Sequence, residues 1–253
     1  ISLFPLTAKT LIAIRVSHPF NPIRIALTSF CFLSITAVRI LWTFDGNLND
    51  FYNNFPGIPI NAPTYRSPGI NGYGTCLYLN ASRNQSVTVY SPPFLNMVYT
   101  PFSLIAWVKP ATLRNDTSSS KSDNAIFGQH QNNSKDHSFH VVIRRKKSYL
   151  GFYNDDSQGN IILNPGIGIM YVFMYICLEY PLILLLLDRF VYDYSTLTQY
   201  IYVNGILDVS NTPREPYKGE TGDLTIGTNG IHYPYNFWDG CLDQISYFSR
   251  AKT

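Results

Sequence analysis

An all-β fold, an antiparallel two-sheet jelly-roll sandwich, is what this sequence predicts. Short runs that alternate apolar and polar residues recur along the chain, separated by turn residues, and no amphipathic helical pattern interrupts them. Composition agrees. Aromatic residues reach 15%, with 19 Tyr and 16 Phe, while charged residues stop at 14%. Tyr, Phe and Thr suit a pleated, half-buried surface, so this bias favours strands. A chain of 253 residues is long enough for one large sandwich or two small domains.

The first forty residues read differently from the rest. Residues 26–38 are apolar with small hydroxyls and lie between Arg24 and Arg39. That length suits a signal-peptide core better than a membrane span, so residues 1–40 are expected to be a leader, signal-like or an anchor. From Leu41 the strand rhythm begins. Leu41-Trp42-Thr43-Phe44-Asp45 alternates and meets the polar turn Gly46-Asn47-Leu48-Asn49-Asp50. Further strands are expected at 76–80, 86–90, 102–110, 125–128, 137–144 and 148–153. The basic run Arg144-Arg145-Lys146-Lys147 reads as a solvated hairpin turn between the last two of these.

One segment breaks the rhythm. Residues 167–187 carry Glu179 as their only charge, which by hydropathy makes them a candidate membrane span. Strands on both sides must join one sandwich, however, and a span would separate them across a bilayer. A hydrophobic insertion at about 167–188, within a domain running 41–253, is the more economical reading, with an unusual buried strand or helix as the remaining alternative. Membrane contact then stays open only through 26–38 or 167–187. Beyond it, Gln199-Tyr200-Ile201-Tyr202-Val203 runs into Asn204-Gly205, the strongest short-range hairpin signal, because both central residues of a type I′ turn need φ > 0. Leu224-Thr225-Ile226-Gly227 and the turn-then-strand segment 237–251 complete the chain.

In order and spacing, "YIYVNG" from Tyr200, "LTIGTNG" from Leu224 and "FWDGCLDQISYFSRA" from Phe237 resemble the closing hairpins of the laminin G-like, concanavalin A-like jelly-roll family. The stretch from Leu41 resembles its opening strand, and Phe102-Ser103-Leu104-Ile105-Ala106-Trp107-Val108-Lys109-Pro110 resembles an inner one. In that fold the last strand returns beside an early one, so the resemblance implies a disulfide between Cys76 and Cys241. Cys31 and Cys177 fall outside the recognisable domain. The resemblance says little about function, since that sandwich hosts lectins, adhesion modules and glycosidases alike.

Several function classes are disfavoured by the residues themselves. A net charge of +3 is too small to imply nucleic acid. None of the four cysteines has C-x-x-C spacing, so zinc and thioredoxin-like readings are poor. Asn80, Asn84, Asn115 and Asn132 each open an Asn-x-Ser/Thr sequon, which points to a secreted or extracellular glycosylated surface where disulfides persist. A retaining glycosidase needs two carboxylates about 5–5.5 Å apart, and no acidic pair has suitable strand spacing; Asp239 and Asp243 are separated by a glycine turn. No G-x-S-x-G elbow occurs, and His137 and His140 would lie on opposite faces of a strand.

No cofactor is certain. Calcium is the candidate, through oxygen-rich turns containing Asp155 and Asp156. The aromatic loop holding Tyr233, Tyr235, Asn236 and Trp238 is the candidate ligand platform, since aromatic faces pack on apolar sugar faces. The expected function is a non-catalytic extracellular recognition module that binds a glycan or protein ligand through rim loops. The alternatives are a glycoside hydrolase on the same fold and a purely structural adhesion repeat.

Overall fold

The computed structural model describes residues 38–90, 97–114, 123–130, 135–165, 186–212, 215–219, 222–230, 236–249 and 251. Residues 1–37 of the expected leader, residues 167–185 of the expected insertion, Cys31, Cys177, Asn115, Asn132, Tyr233 and Tyr235 lie outside them. The sandwich falls within the unit Thr36–Thr253.

Its strands are β1 (Val38–Trp42), β2 (Gly57–Ile60), β3 (Thr64–Arg66), β4 (Cys76–Leu79), β5 (Ser86–Val89), β6 (Phe102–Pro110), β7 (Asn124–His130), β8 (Ser138–Arg144), β9 (Lys147–Gly151), β10 (Asp156–Gln158), β11 (Leu186–Asp193), β12 (Thr198–Val203), β13 (Ile206–Asn211), β14 (Leu224–Ile226) and β15 (Gly240–Phe248). One antiparallel sheet runs β13-β12-β11-β6-β15-β4-β3, with β1 also on β15, and the other runs β10-β9-β8-β7-β14-β5-β2. This is the predicted all-β sandwich. Among the described residues no helix is long and apolar enough to cross a membrane.

Period-two patterning explains the layers. On β6, Phe102, Leu104, Ala106 and Val108 face the core, and Val87 and Val89 of β5 meet them from the opposite sheet. Phe102 sits among Phe139, Tyr192, Phe152, Tyr217 and Tyr247, with ring centroids 5.2–6.4 Å away. The Asn204-Gly205 turn has φ of 54° and 76° and joins β12 to β13 as its sequence requires. Cys76 and Cys241 are bonded, with Cα atoms 5.7 Å apart, because β15 does return beside β4.

Three expectations need correction. The first strand begins at Val38, three residues earlier than expected, and pairs with β15. Residues 186–188 are not part of an insertion: Leu186, Leu187 and Asp188 pair with Val108, Trp107 and Ala106 of β6, so β11 claims them for the middle of a sheet. The basic turn is only partly solvated. Arg145 and Lys146 do form a turn, but Arg144 donates Nε and a terminal nitrogen to Asp123 at 2.6 and 2.9 Å and lies over the Tyr149 ring.

A bulge in β15 produces a pH-sensitive buried acid. β4 pairs with the first half of β15 and β1 with the second; between them Gln244 has φ of 43°, and the register with β6 shifts just after Asp243, which is still opposite Trp107. Its carboxylate accepts the Ile70 N–H at 2.9 Å. Burial, with Asp45 nearby, pushes its pKa from 3.8 up to about 7. An acid whose folded-state pKa is raised holds its proton longer in the native state than in the unfolded chain. Stability should therefore fall as pH rises between these two values, by up to ~1.4 kcal/mol per unit, and level off above them. Asp136, pushed up to about 6 by burial and Asp155 against Lys135 and Lys218, acts with the same sign. Chemical denaturation from pH 4 to 8 should show this slope, and Asp243→Asn should flatten most of it above pH 6; an unchanged slope would locate the effect elsewhere.

Candidate functional site

The outer face of the second sheet carries a row of hydroxyls. On β5 the valines enter the core, so Ser86 and Thr88 point outward, and on β14 the same alternation sends Thr225 outward between Leu224 and Ile226. The register sets Thr88 opposite Thr225 on one side and Ile58 on the other, with Ser86 opposite Ile60.

The chain after β14 folds back over this face. Gly227 turns it with φ of 80°, and a Cβ there would come within 2.1 Å of a Leu79 methyl, so only glycine fits. Thr225 Oγ1 donates to the Thr228 carbonyl at 2.7 Å, and Thr228 Oγ1 donates to Asn236 Oδ1 at 2.9 Å. Asn236 Nδ2 in turn donates to Asn229 Oδ1 at 2.6 Å and to the Asn229 carbonyl. On the other wall, buried Gln85 donates to the carbonyls of Asn61 and Ala62 at 3.0 and 2.7 Å and accepts the Asn80 N–H at 2.9 Å. Asn61 Nδ2 donates to the Asn84 carbonyl at 2.9 Å. These bonds fix both rims.

Between them lies a groove of about 360 Å³, within the range of small-molecule sites. Ile60 and Phe237 supply apolar surface; Asn61, Asn84, Ser86, Thr88, Thr225, Thr228 and Asn229 supply hydroxyls and amides. Among the described residues none of those lining the groove is charged. The Ser86 and Thr88 hydroxyls make no hydrogen bond among the described residues, so each can both donate to and accept from a ligand. Such a lining suits an uncharged, hydroxyl-rich molecule.

Of the sequence-derived platform, only Asn236 and Trp238 are among the described residues, and these two are corrected here. Trp238 and Asn236 are fully buried: the Trp238 ring packs into the core cluster, and Asn236 ties the loop together, so neither offers a face to a sugar. Phe237, passed over between them, lines the groove instead. The calcium candidates are engaged separately. Asp155 accepts the Glu215 N–H at 2.9 Å and faces Lys135 at 3.5 Å, while Asp156 accepts Tyr149 OH at 2.6 Å and the Phe152 N–H at 3.1 Å. Among the described residues no three His, Cys, Asp or Glu side chains converge. Asp239 accepts Thr112 Oγ1 at 2.7 Å, as a structural turn residue would. Asn80 and Asn84 flank the short 3₁₀ turn Ala81–Arg83 at the groove's rim. The groove hydroxyls had a signal in the sequence, the Ser-Val-Thr-Val and Leu-Thr-Ile alternations, but nothing local told that those two segments pair.

No protein-family model matches this chain, and no curated protein sequence does. Solved structures do resemble it. Domain 4 of AbnA, a GH43 extracellular arabinanase from Geobacillus stearothermophilus, solved in complex with arabinotriose, is 18% identical with a TM-score of 0.57 over 85% of this chain and 93% of that one. The binding domain of Paraclostridial Mosquitocidal Protein 1 is 14% identical with a TM-score of 0.62, covering 86% of this chain and 49% of that one. A structure of botulinum neurotoxin type C, whose cell entry depends on interaction with two ganglioside molecules, is 13% identical with a TM-score of 0.56 over 86% and 48%. The chain spans about half the length of the two toxin structures. At these identities the likeness is one of fold: a jelly-roll-like β-sandwich.

Proposed function

We propose that this chain is a non-catalytic carbohydrate-binding module that takes a neutral glycan in the groove on β5 and β14. The observation that carries this reading is the lining itself, uncharged and hydroxyl-rich, with two hydroxyls left open and apolar walls from Ile60 and Phe237. Carbohydrate offers that combination of hydroxyl edges and apolar ring faces. The fold neighbours solved with arabinotriose or tied to gangliosides support it as analogy. The Cys76–Cys241 bond supports an extracellular setting, since structural disulfides persist where the environment is oxidising. With no acidic pair among the groove's described residues, binding without cleavage is the expected behaviour.

A glycan array probed with the folded chain tests the reading, and neutral oligosaccharides should be retained. Thr88→Val removes one open hydroxyl at nearly constant shape and should weaken retention about 3- to 10-fold, the worth of one hydrogen bond, with little change in melting temperature. Retention only of anionic glycans, or none, would count against the groove.

A further inference from the structure

We infer that N-glycosylation at Asn84 closes this groove, so that glycan binding is switched off in chains whose Asn84 sequon is occupied; the inference rests on the groove reading above. Asn84-Gln85-Ser86 is a sequon, and two of its three residues line the groove. Asn84 ends the 3₁₀ turn in the left-handed conformation, φ 52° and ψ 41°, which asparagine tolerates better than most residues. It is exposed, and its side-chain amide makes no hydrogen bond among the described residues. A sugar attached there starts at the groove's wall.

The neighbouring sequon differs. Asn80 Oδ1 accepts the Ser82 N–H at 2.9 Å and the Ser82 hydroxyl at 2.6 Å, and neither residue lines the groove. A glycan on Asn80 should leave binding unchanged, which makes it an internal control.

The folded structure also fixes when the modification happens. In the transfer, Asn84 Nδ2 forms a bond to C1 of the first N-acetylhexosamine of a polyprenyl-diphosphate-linked oligosaccharide. The C1–O bond to the diphosphate breaks, the polyprenyl diphosphate leaves with the bonding pair, and one amide proton is lost to a base. The sequon's hydroxyl residue, Ser86, is 3% exposed and pairs with Ile60 on the neighbouring strand. Transfer must therefore precede the pairing of β2 with β5. Once the chain folds, its state at Asn84 is settled, and the attached sugar competes from within. A short tether holds it at an effective concentration on the order of millimolar, enough to displace a free glycan that binds with similar or weaker affinity.

The test compares the same chain made in a glycosylating secretory cell and in a bacterial periplasm, which oxidises thiols without adding this glycan. Occupancy at Asn84 is measured by mass spectrometry, and binding is titrated with a panel of neutral trisaccharides that includes arabinotriose. The periplasmic chain should bind. The glycosylated chain should bind at least about tenfold more weakly; Asn84→Gln, whatever its own affinity, should bind equally from the two hosts, whereas Asn80→Gln should keep the difference. An unoccupied Asn84, equal binding by the two forms, or recovery through Asn80→Gln overturns the inference while leaving the groove reading intact. No binding by the periplasmic form sinks both.

Discussion

Replacing Cys76 and Cys241 together by alanine is expected to cost about 4–5 kcal/mol, because the bridge spans 165 residues of sequence and a cross-link of that reach removes much of the unfolded chain's freedom in the chain-entropy model. For a domain of this size the melting temperature should drop by roughly 10–20 °C. The consequence follows the fold. β15 is the strand that β4, β1 and β6 all use, so the bridge ties the end of the chain to its beginning at the centre of one sheet. Differential scanning calorimetry of the oxidised chain and the double variant measures the effect. A loss under about 1 kcal/mol would mean that the unfolded chain already keeps these segments together.

Phe102→Ala should cost a further and independent 3–5 kcal/mol. Phe102 is fully buried, and its ring meets five others, drawn from both sheets and from the loops holding Phe152 and Tyr217. The variant would leave a cavity whose lining cannot easily collapse, since those rings are also held by each other; Phe152 and Tyr192 pack edge to face at 4.9 Å. Phe102→Leu keeps most of the volume and should cost distinctly less. Urea unfolding of the two variants gives both numbers. Equal costs would show that ring geometry, rather than volume, holds this centre.

Much of this architecture could be read from the residues, and the reason differs from place to place. The β12–β13 hairpin was legible because Asn204-Gly205 is a local rule of backbone conformation. The bounds of β6 coincide with the apolar run that Pro110 ends. The pairing of Cys76 with Cys241 followed from family resemblance, not from local chemistry. Three strands escaped notice for physical reasons. Gly57-Ile58-Pro59-Ile60 holds a glycine and a proline and survives only at a sheet edge; Thr64–Arg66 and Asp156–Gln158 are three residues long and lack an apolar face. Trp238 misled because an aromatic residue beside a turn looks the same in sequence whether it packs inward or stands out to a ligand. The groove itself was illegible: Thr88 and Thr225 meet only because two distant segments share a ladder.

Tyr99 and Tyr194 are both exposed and edge to face, with ring centroids 6.4 Å apart, which makes them a rival surface for stacking on sugar. Backbone amide shift mapping by NMR, with an unglycosylated chain titrated with arabinotriose and with the neutral oligosaccharide best retained on the array, distinguishes the two directly. The groove account predicts that the largest shifts fall on Asn61, Ser86, Thr88, Thr225 and Thr228 and saturate together. Shifts that instead centre on Tyr99 and Tyr194, with Ser86 and Thr88 unmoved, would contradict it.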